Sequence, residues 1–381
     1  MASPIIDPLI DPITEVPRRK LIVSIGLRAL LAVAVIWVAY FGVLPRVADM
    51  QRVGELIWSL TWDDMTGLLV VAAASLLVRP FGIMASTPGR LGYWHGMTEN
   101  QTSTAICNIV PGGGAFALVV NHNQYRSWGF GTDAFSLMVV VSGIWNNFIK
   151  LGMPVVAVAI LAGTLEVRAE LVVAAAIGLV VLVALITLFT RMLRSEELTH
   201  RVGVAAERLV SWLHRLVRRP SVTGWGEGAV ATRARGFDLV RKRWLALTVT
   251  LLAPNLLDFF VLLLSLRGLG VTAGQVGWQD VLVAYSVSKL LTVIPVTPGG
   301  LGILELGLVG ILVSAGGPEE EVVAATLLFR GLTFLPAFPV GAVLGARWWL
   351  WNRRRKEGDE AGGERPSPSA PEPAVGVGGG D

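Results

Sequence analysis

Long apolar runs bounded by charged or proline-containing stretches dominate the chain. They cover residues 21–44, 66–86, 98–126, 133–162, 168–192, 243–267, 280–315 and 321–351. Each reaches or exceeds the roughly 20 helical residues that cross a bilayer. Two of the runs are interrupted midway, by NIVPGGGAFAL around Pro111 and by PVTPGGLGILELG around Pro298. Proline removes a backbone donor and glycine destabilises a helix interior, so each of these runs is expected to break into two shorter helices.

Composition turns that pattern into a class. Hydrophobic residues make up 53% of the chain, charged residues only 16%, and the mean hydropathy is +0.61. Soluble domains carry about 25% charged residues, so the chain reads as a polytopic membrane protein. The single cysteine, Cys107, excludes a disulfide framework, and the four histidines show no HExxH spacing. No Walker-type phosphate loop is present either, so neither a metal nor a cofactor is expected. A net charge of +4 would suit nucleic acid if it were clustered on a soluble face. It instead flanks the apolar runs, as in cytoplasmic membrane loops, so no nucleic-acid partner is expected.

Charge also sets a topology. Arg18, Arg19 and Lys20 precede the first run, which is too long for a signal-peptide core and reads as a span with its N-terminus inside. Ten Arg and Lys lie between Arg191 and Arg243, and Arg353, Arg354, Arg355 and Lys356 follow the last run. Both regions are therefore placed in the cytoplasm, and the loops around 45–65 and 268–280 outside. Parity then makes the Pro111 run a re-entrant hairpin entering from the cytoplasm, and the Pro298 run a hairpin entering from outside. The expected fold is all-α, with about six spans plus two re-entrant broken hairpins in an inverted repeat. The expected boundaries are an irregular segment over 1–17 and a membrane domain over 18–351. Within it lie a first repeat at about 66–162, an Arg-rich loop at 193–242 and a second repeat at about 243–351. A disordered cytoplasmic tail is expected over 352–381. In the loop, Leu198, Val202, Ala205, Leu209, Leu213 and Leu216 form one stripe, with arginines off it. This predicts an amphipathic helix on the inner surface.

Charged and amide side chains inside apolar runs are costly, so each needs a reason. The second repeat holds Asp258, Lys289, Glu305 and Arg330; the first holds Asn146, Asn147 and Lys150, with Asn108 beside the first Pro-Gly-Gly. One reading pairs Glu305 with Arg330, and Asp258 with Lys289, as structural ion pairs. The other places them at a polar cavity, where Arg330 holds a lipid phosphate and Glu305 counters a cation or carries a proton. Lys150 snorkels if it lies near an interface. The cluster Asn121, His122, Asn123, Gln124 and Arg126 is expected to be solvated at the cytoplasmic end of the hairpin. The broken tips, Pro111-Gly112-Gly113 and Pro298-Gly299-Gly300, expose backbone amides and a positive helix end suited to a phosphate or carboxylate. Cys107 reads as a packing residue, and Trp145 as a candidate cavity wall.

The stretch PVTPGGLGILELGLVGIL, followed by Arg330-Gly-Leu-Thr-Phe-Leu-Pro, resembles the lysylphosphatidylglycerol synthase transmembrane (flippase-like) family. That family includes the membrane half of the bacterial multiple peptide resistance factor. VPGGGAFALVVNHNQYRSWG and GIWNNFIKLGMPV also look like its actinobacterial members, and the resemblance covers about residues 20–350. It implies a domain that moves a lipid across the cytoplasmic membrane of a bacterium, with Pro298, Gly299, Gly300, Gly302, Glu305 and Arg330 in the hallmark positions. The soluble aminoacyl-transferring domain of the two-domain members has no counterpart after Trp351, so synthesis of the lysyl-lipid is not expected. Members without that domain are diverse, and the substrate stays open between an anionic phospholipid and a polyprenyl-phosphate-linked lipid. The expected partners are membrane lipids, and a homo-oligomer stays open. Two alternatives remain: a membrane enzyme acting on a lipid-linked substrate, with Glu305 and Lys289 as its acid–base pair, and a scaffold for cell-envelope assembly.

Overall fold

The computed structural model describes residues 49–109, 113–162, 169–216, 225–292 and 300–362. The expected 1–17 segment, the 21–44 span, Pro111, Gly112, Pro298 and Gly299 lie outside the described residues. Within them the chain is all-helical, with no strand. The helices are α1 (Met50–Trp58), α2 (Trp62–Ser86), α3 (Tyr93–Ile109), α4 (Gly113–Ser127), α5 (Thr132–Ala162) and α6 (Ala169–Arg194). They continue as α7 (Glu196–Leu216), α8 (Trp225–Gly268), α9 (Trp278–Leu291), α10 (Ile303–Ser314), α11 (Glu319–Phe334) and α12 (Ala337–Gly362).

Local chemistry sets several of these ends. Thr61 caps α2 by accepting the Asp64 N–H, and Asp63 and Asp64 sit in the first turn against the positive helix end. At the other end of α2, Arg243 donates to the carbonyls of Thr87 at 2.9 Å and Gly89 at 3.3 Å, bringing a cation to the negative end. Arg267 does the equivalent work where α8 ends, donating to Val271 O at 2.7 Å and Val276 O at 2.8 Å.

Among the described residues four stretches are long and apolar enough to cross a membrane: Trp62–Ser86, Thr132–Leu161, Arg235–Gly268 and Glu319–Arg355. Ala176–Met192 and Glu196–Ala205, joined through a 120° bend, raise the number to five. Much of this apolar surface is uncovered: Val70, Val180 and Val343 are each about two-thirds exposed. Water would penalise that surface and acyl chains would not, so the exposed faces fit a lipid environment. The chain is a multi-pass membrane protein in its architecture.

Both interrupted runs are broken as the sequence predicts, into α3 and α4 and into α9 and α10, and the two helices of each pair pack on each other. Packing then crosses between the halves of the chain. α2 lies along α8, α3 packs on α12, and α9 packs on α5. The main core sits where α8, α9, α10 and α11 meet, around Leu262, Leu266, Tyr285, Leu308, Leu312 and Phe329. A smaller core of Leu91, Tyr125, Phe135 and Met138 lies under α4.

Three boundaries differ from the sequence reading. The last apolar run is two helices, because Pro336 cannot donate a backbone hydrogen bond across the junction after α11. α12 continues through Gly362, past the expected start of the tail at 352. The Arg-rich region holds a helix, α7, where the apolar stripe predicts one, and the difference lies after it: α8 begins at Trp225, inside the loop expected to run to 242. The turn into α7 is fixed by Thr199, whose Oγ1 donates to Met192 O at 2.6 Å, and by Ser195, whose Oγ accepts from the Leu198 N–H at 3.2 Å. α7 packs against α8; Thr199, Gly203 and Ser211 are buried, whereas Ala205 of the apolar stripe is exposed.

Candidate functional site

The second broken segment is surrounded by charge. Asp258 on α8 is buried and accepts from Arg79 Nη2 of α2 at 2.9 Å to each carboxylate oxygen. Ser75 Oγ donates to the same carboxylate at 2.6 Å, and Lys289 Nζ of α9 lies 3.4 Å from it. Asp258 is nine residues from Arg267, and Lys289 is eleven residues into α9 from Trp278. At about 1.5 Å per residue these are about 13 and 16 Å along their helices, comparable to half of a roughly 30 Å hydrocarbon thickness.

A second pair sits beside the first. Glu305 is fully buried on α10; its Oε1 accepts from Arg330 Nε of α11 at 2.7 Å, and its Oε2 accepts from the Gly302 N–H at 2.8 Å. Arg330 also lies over the Phe334 ring, 4.4 Å from its centroid. The bond to Gly302 closes the first turn of α10 in the manner of a capping box. Gly302 takes φ +83° and ψ −45°, a conformation that a residue with a Cβ rarely adopts, and Gly300 takes φ +67°. These two glycines of the expected motif are therefore needed for the shape of the chain that brings Glu305 under Arg330.

The two pairs form one field. Lys289 interacts electrostatically with Arg79, with Arg330 and with Lys150 of α5 as well as with Asp258. Among the described residues, two acids, Asp258 and Glu305, pair with Arg79, Lys289 and Arg330 in this interior region, and Lys150 adds a further positive charge felt by Lys289. Three nearby hydroxyls have no hydrogen-bond partner among the described residues: Tyr285 one turn before Lys289, Ser288 next to Lys289 and facing Gly307 of α10, and Thr326 one turn before Arg330. The Tyr285 and Phe329 rings meet at 6.2 Å, joining α9 to α11 at this level. Surplus positive charge with free O–H donors is the chemistry that receives an anion.

The first broken segment is built differently. Glu99 on α3 is buried, and its Oε1 accepts from Asn121 Nδ2 of α4 at 2.7 Å. Asn121 and Gln124 are 3% and 0% exposed, so the expectation that residues 121–126 are solvated holds only for Asn123 and Arg126. Burial follows from close contact of the arms and of α3 with α12. A Cβ on Gly113 would come 2.3 Å from Ile106 O, and one on Gly341 of α12 would come 2.5 Å from Gln101 O. Asn108 is half-buried near the end of α3.

Other expected positions lie away from both clusters. Asn147 is exposed and donates to Gly143 O at 3.0 Å, satisfying its own helix; Asn146 is half-buried. Trp145 Nε1 donates to Thr248 Oγ1 at 3.1 Å, which ties α5 to α8 and makes the ring a packing element. A cavity of about 310 Å³ opens between α3 and α12, lined by Trp94, His95, Trp128, Arg347, Trp348 and Trp351. Among the described residues no three His, Cys, Asp or Glu side chains converge as a metal site.

Arg79, Ser75 and Glu99 are the site residues that the sequence reading missed. Arg79 had a visible signal: it lies seven residues inside the end of α2, too deep for a boundary marker. Glu99 had one too, since a lone acid stood on the arm facing an amide-rich partner arm.

With that geometry in place, comparison with known proteins adds one finding. The family model described as the lysylphosphatidylglycerol synthase TM region matches residues 25–341. No curated protein matches the chain in sequence.

Proposed function

Because the chain belongs to the lysylphosphatidylglycerol synthase transmembrane family, a membrane domain of lipid metabolism, we propose that it is a lipid translocase. It moves an anionic phospholipid or a lipid-linked anionic headgroup between the leaflets of the cytoplasmic membrane, with both chain ends at the inner face. The observation that carries this reading is the interior field of Arg79, Lys150, Lys289 and Arg330 against Asp258 and Glu305, beside the unpartnered hydroxyls of Tyr285, Ser288 and Thr326. A phosphate is attracted by the surplus charge and accepts from the hydroxyls. It competes with Glu305 for Arg330, so the pair acts as a gate that the headgroup opens.

The packing supports an inverted repeat of α2–α5 and α8–α12, because each broken pair sends its first arm onto the long helix of the other half. The arms have 17, 15, 14 and 12 residues. At about 1.5 Å per residue they span roughly 18–25 Å, short of the hydrocarbon thickness, as re-entrant hairpins meeting near the midplane require.

The test is a leaflet-accessibility assay in proteoliposomes, using fluorescent anionic phospholipid and polyprenyl-phosphate probes. Transfer by the wild type, lost in Glu305→Gln, is expected, and the probe transferred identifies the substrate class. Absence of transfer for both probes by folded protein overturns the reading. Product formation from a lipid-linked substrate in detergent would move the assignment to an enzyme, since flipping needs two leaflets.

A further inference from the structure

The buried polar atoms that lack a partner are concentrated away from the charge field. Glu99 Oε2, Gln101 Oε1, Thr102 Oγ1, Asn121 Oδ1, and Gln124 Oε1 and Nε2 all lie on α3 and α4 with no hydrogen-bond partner among the described residues. Glu99, Gln101, Asn121 and Gln124 are each less than 5% exposed. Most of the orphaned atoms are acceptors, and the only group among them that can gain a donor is the Glu99 carboxyl.

Among the described residues, the surroundings of Glu99 supply no countercharge. From α4 it faces Asn121 and, electrostatically, Tyr125, whose hydroxyl is 2.7 Å from Thr87 Oγ1. On its own helix it interacts with Cys107. α2 presents Pro80 and Met84 to Gly96, and α12 presents Gly341 and Gly345 to Gln101 and Thr102. Arg347 of α12 lines the cavity. An isolated carboxylate in such a site is far costlier than the neutral acid. A proton on Oε2 also creates the missing donor. The Asn121 amide already donates to Oε1, and its own Oδ1 is an orphaned acceptor, so the acid and amide can satisfy each other in both directions.

We propose that Glu99 is a proton-binding site of the first broken segment and that its protonation couples lipid passage to a transmembrane proton gradient. The coupling part rests on the translocase reading. The proton comes from water in the cavity between α3 and α12. His95 lines that cavity, stacked on Trp128 with ring centroids 4.6 Å apart, and it precedes Glu99 by one helical turn on the same face. Release returns the proton to water, so no bond other than O–H forms or breaks. Glu305 is a poor candidate for this role, because both of its carboxylate oxygens are already engaged, by Arg330 and by the Gly302 amide.

Two measurements test this separately. Dicyclohexylcarbodiimide modifies protonated carboxyls in apolar sites. Applied to the purified wild type and read by peptide mass spectrometry, it is expected to label Glu99 at acidic and neutral pH, with labelling falling several-fold as the pH is raised, and to leave Glu305 unlabelled. Absent or pH-independent labelling of Glu99 overturns the proton site. In proteoliposomes, a pH gradient is expected to accelerate lipid transfer by the wild type and not by Glu99→Gln. Acceleration that persists in Glu99→Gln, or a wild-type rate indifferent to the gradient, overturns the coupling. A wild type that moves no lipid at all defeats the translocase reading instead, and the labelling still decides Glu99.

Discussion

The two broken segments share a Pro-Gly-Gly interruption and paired short helices, yet they solve the problem of buried polarity in opposite ways. The second compensates charge with charge: Glu305 is bound by Arg330, and Asp258 by Arg79 and Lys289. The first has a single acid, Glu99, held by an amide and surrounded by neutral acceptors. A similar backbone break therefore does not dictate similar chemistry. Among the described residues, one arm pair lies in a field of four cations and two acids; the other holds one acid among neutral polar groups.

Breaking the charged arm should have the largest effect. Arg330→Ala takes from the buried Glu305 carboxylate its 2.7 Å ion pair, a loss of about 3–5 kcal/mol by analogy with broken buried pairs. Chemical denaturation in detergent should show that loss, with lipid transfer abolished. Replacing the pair together, Glu305→Leu with Arg330→Met, should recover most of the stability and none of the transfer. Recovery of transfer in the double variant would mean that the pair only holds the fold.

Asp258→Asn comes next. It removes one acid shared by two cations, leaving Arg79 and Lys289 facing each other with a neutral amide that still accepts from Ser75. Because Arg79 and Lys289 are partly exposed, the expected loss is smaller than for Arg330→Ala, about 2–3 kcal/mol. Binding of the anionic probe should tighten as the surplus charge grows, and titration of the probe in detergent checks the sign.

How far these contrasts were legible in the sequence follows from what burial costs. The breaks, and the pairing of Glu305 with Arg330, could be read because proline and intramembrane charge carry large penalties that leave few solutions. Arg79 was missed because a basic residue near the end of an apolar run has a cheaper explanation as a topology marker. Only the packing of α2 along α8 shows that it turns to Asp258. Asn121 and Gln124 were assigned to water for the same reason. Polarity alone does not reveal that Gly113 and Gly341 let neighbouring backbones close over them.

The glycines sharpen the comparison further down the scale. Gly302→Ala forces a Cβ into a backbone region at φ +83°, whereas Gly113→Ala keeps an ordinary helix and pushes a Cβ against Ile106 O. Each should cost about 1–3 kcal/mol, the first as backbone strain and the second as overpacking. The readouts differ. Gly302→Ala should disturb Glu305 and lower transfer, while Gly113→Ala should separate α3 from α4 and raise hydrogen exchange in both arms.

The smallest effect is the most telling one. In Glu99→Gln the side chain keeps an oxygen where Oε1 accepts from Asn121, and it adds an N–H₂ where the proposed proton would sit. If Glu99 is neutral in the folded protein, this exchange of an acid for an amide alters no charge, and the stability change should stay within about 1 kcal/mol. If Glu99 is instead a carboxylate held by a cation, the same substitution would break an ion pair and cost several times more. Denaturation of Glu99→Gln beside Arg330→Ala, in one detergent at neutral pH, separates the two cases. A near-silent Glu99→Gln and a severe Arg330→Ala would establish that the first broken segment is neutral where the second is charged. Two equally severe variants would show both segments to be charge-compensated, and the contrast between them would fall.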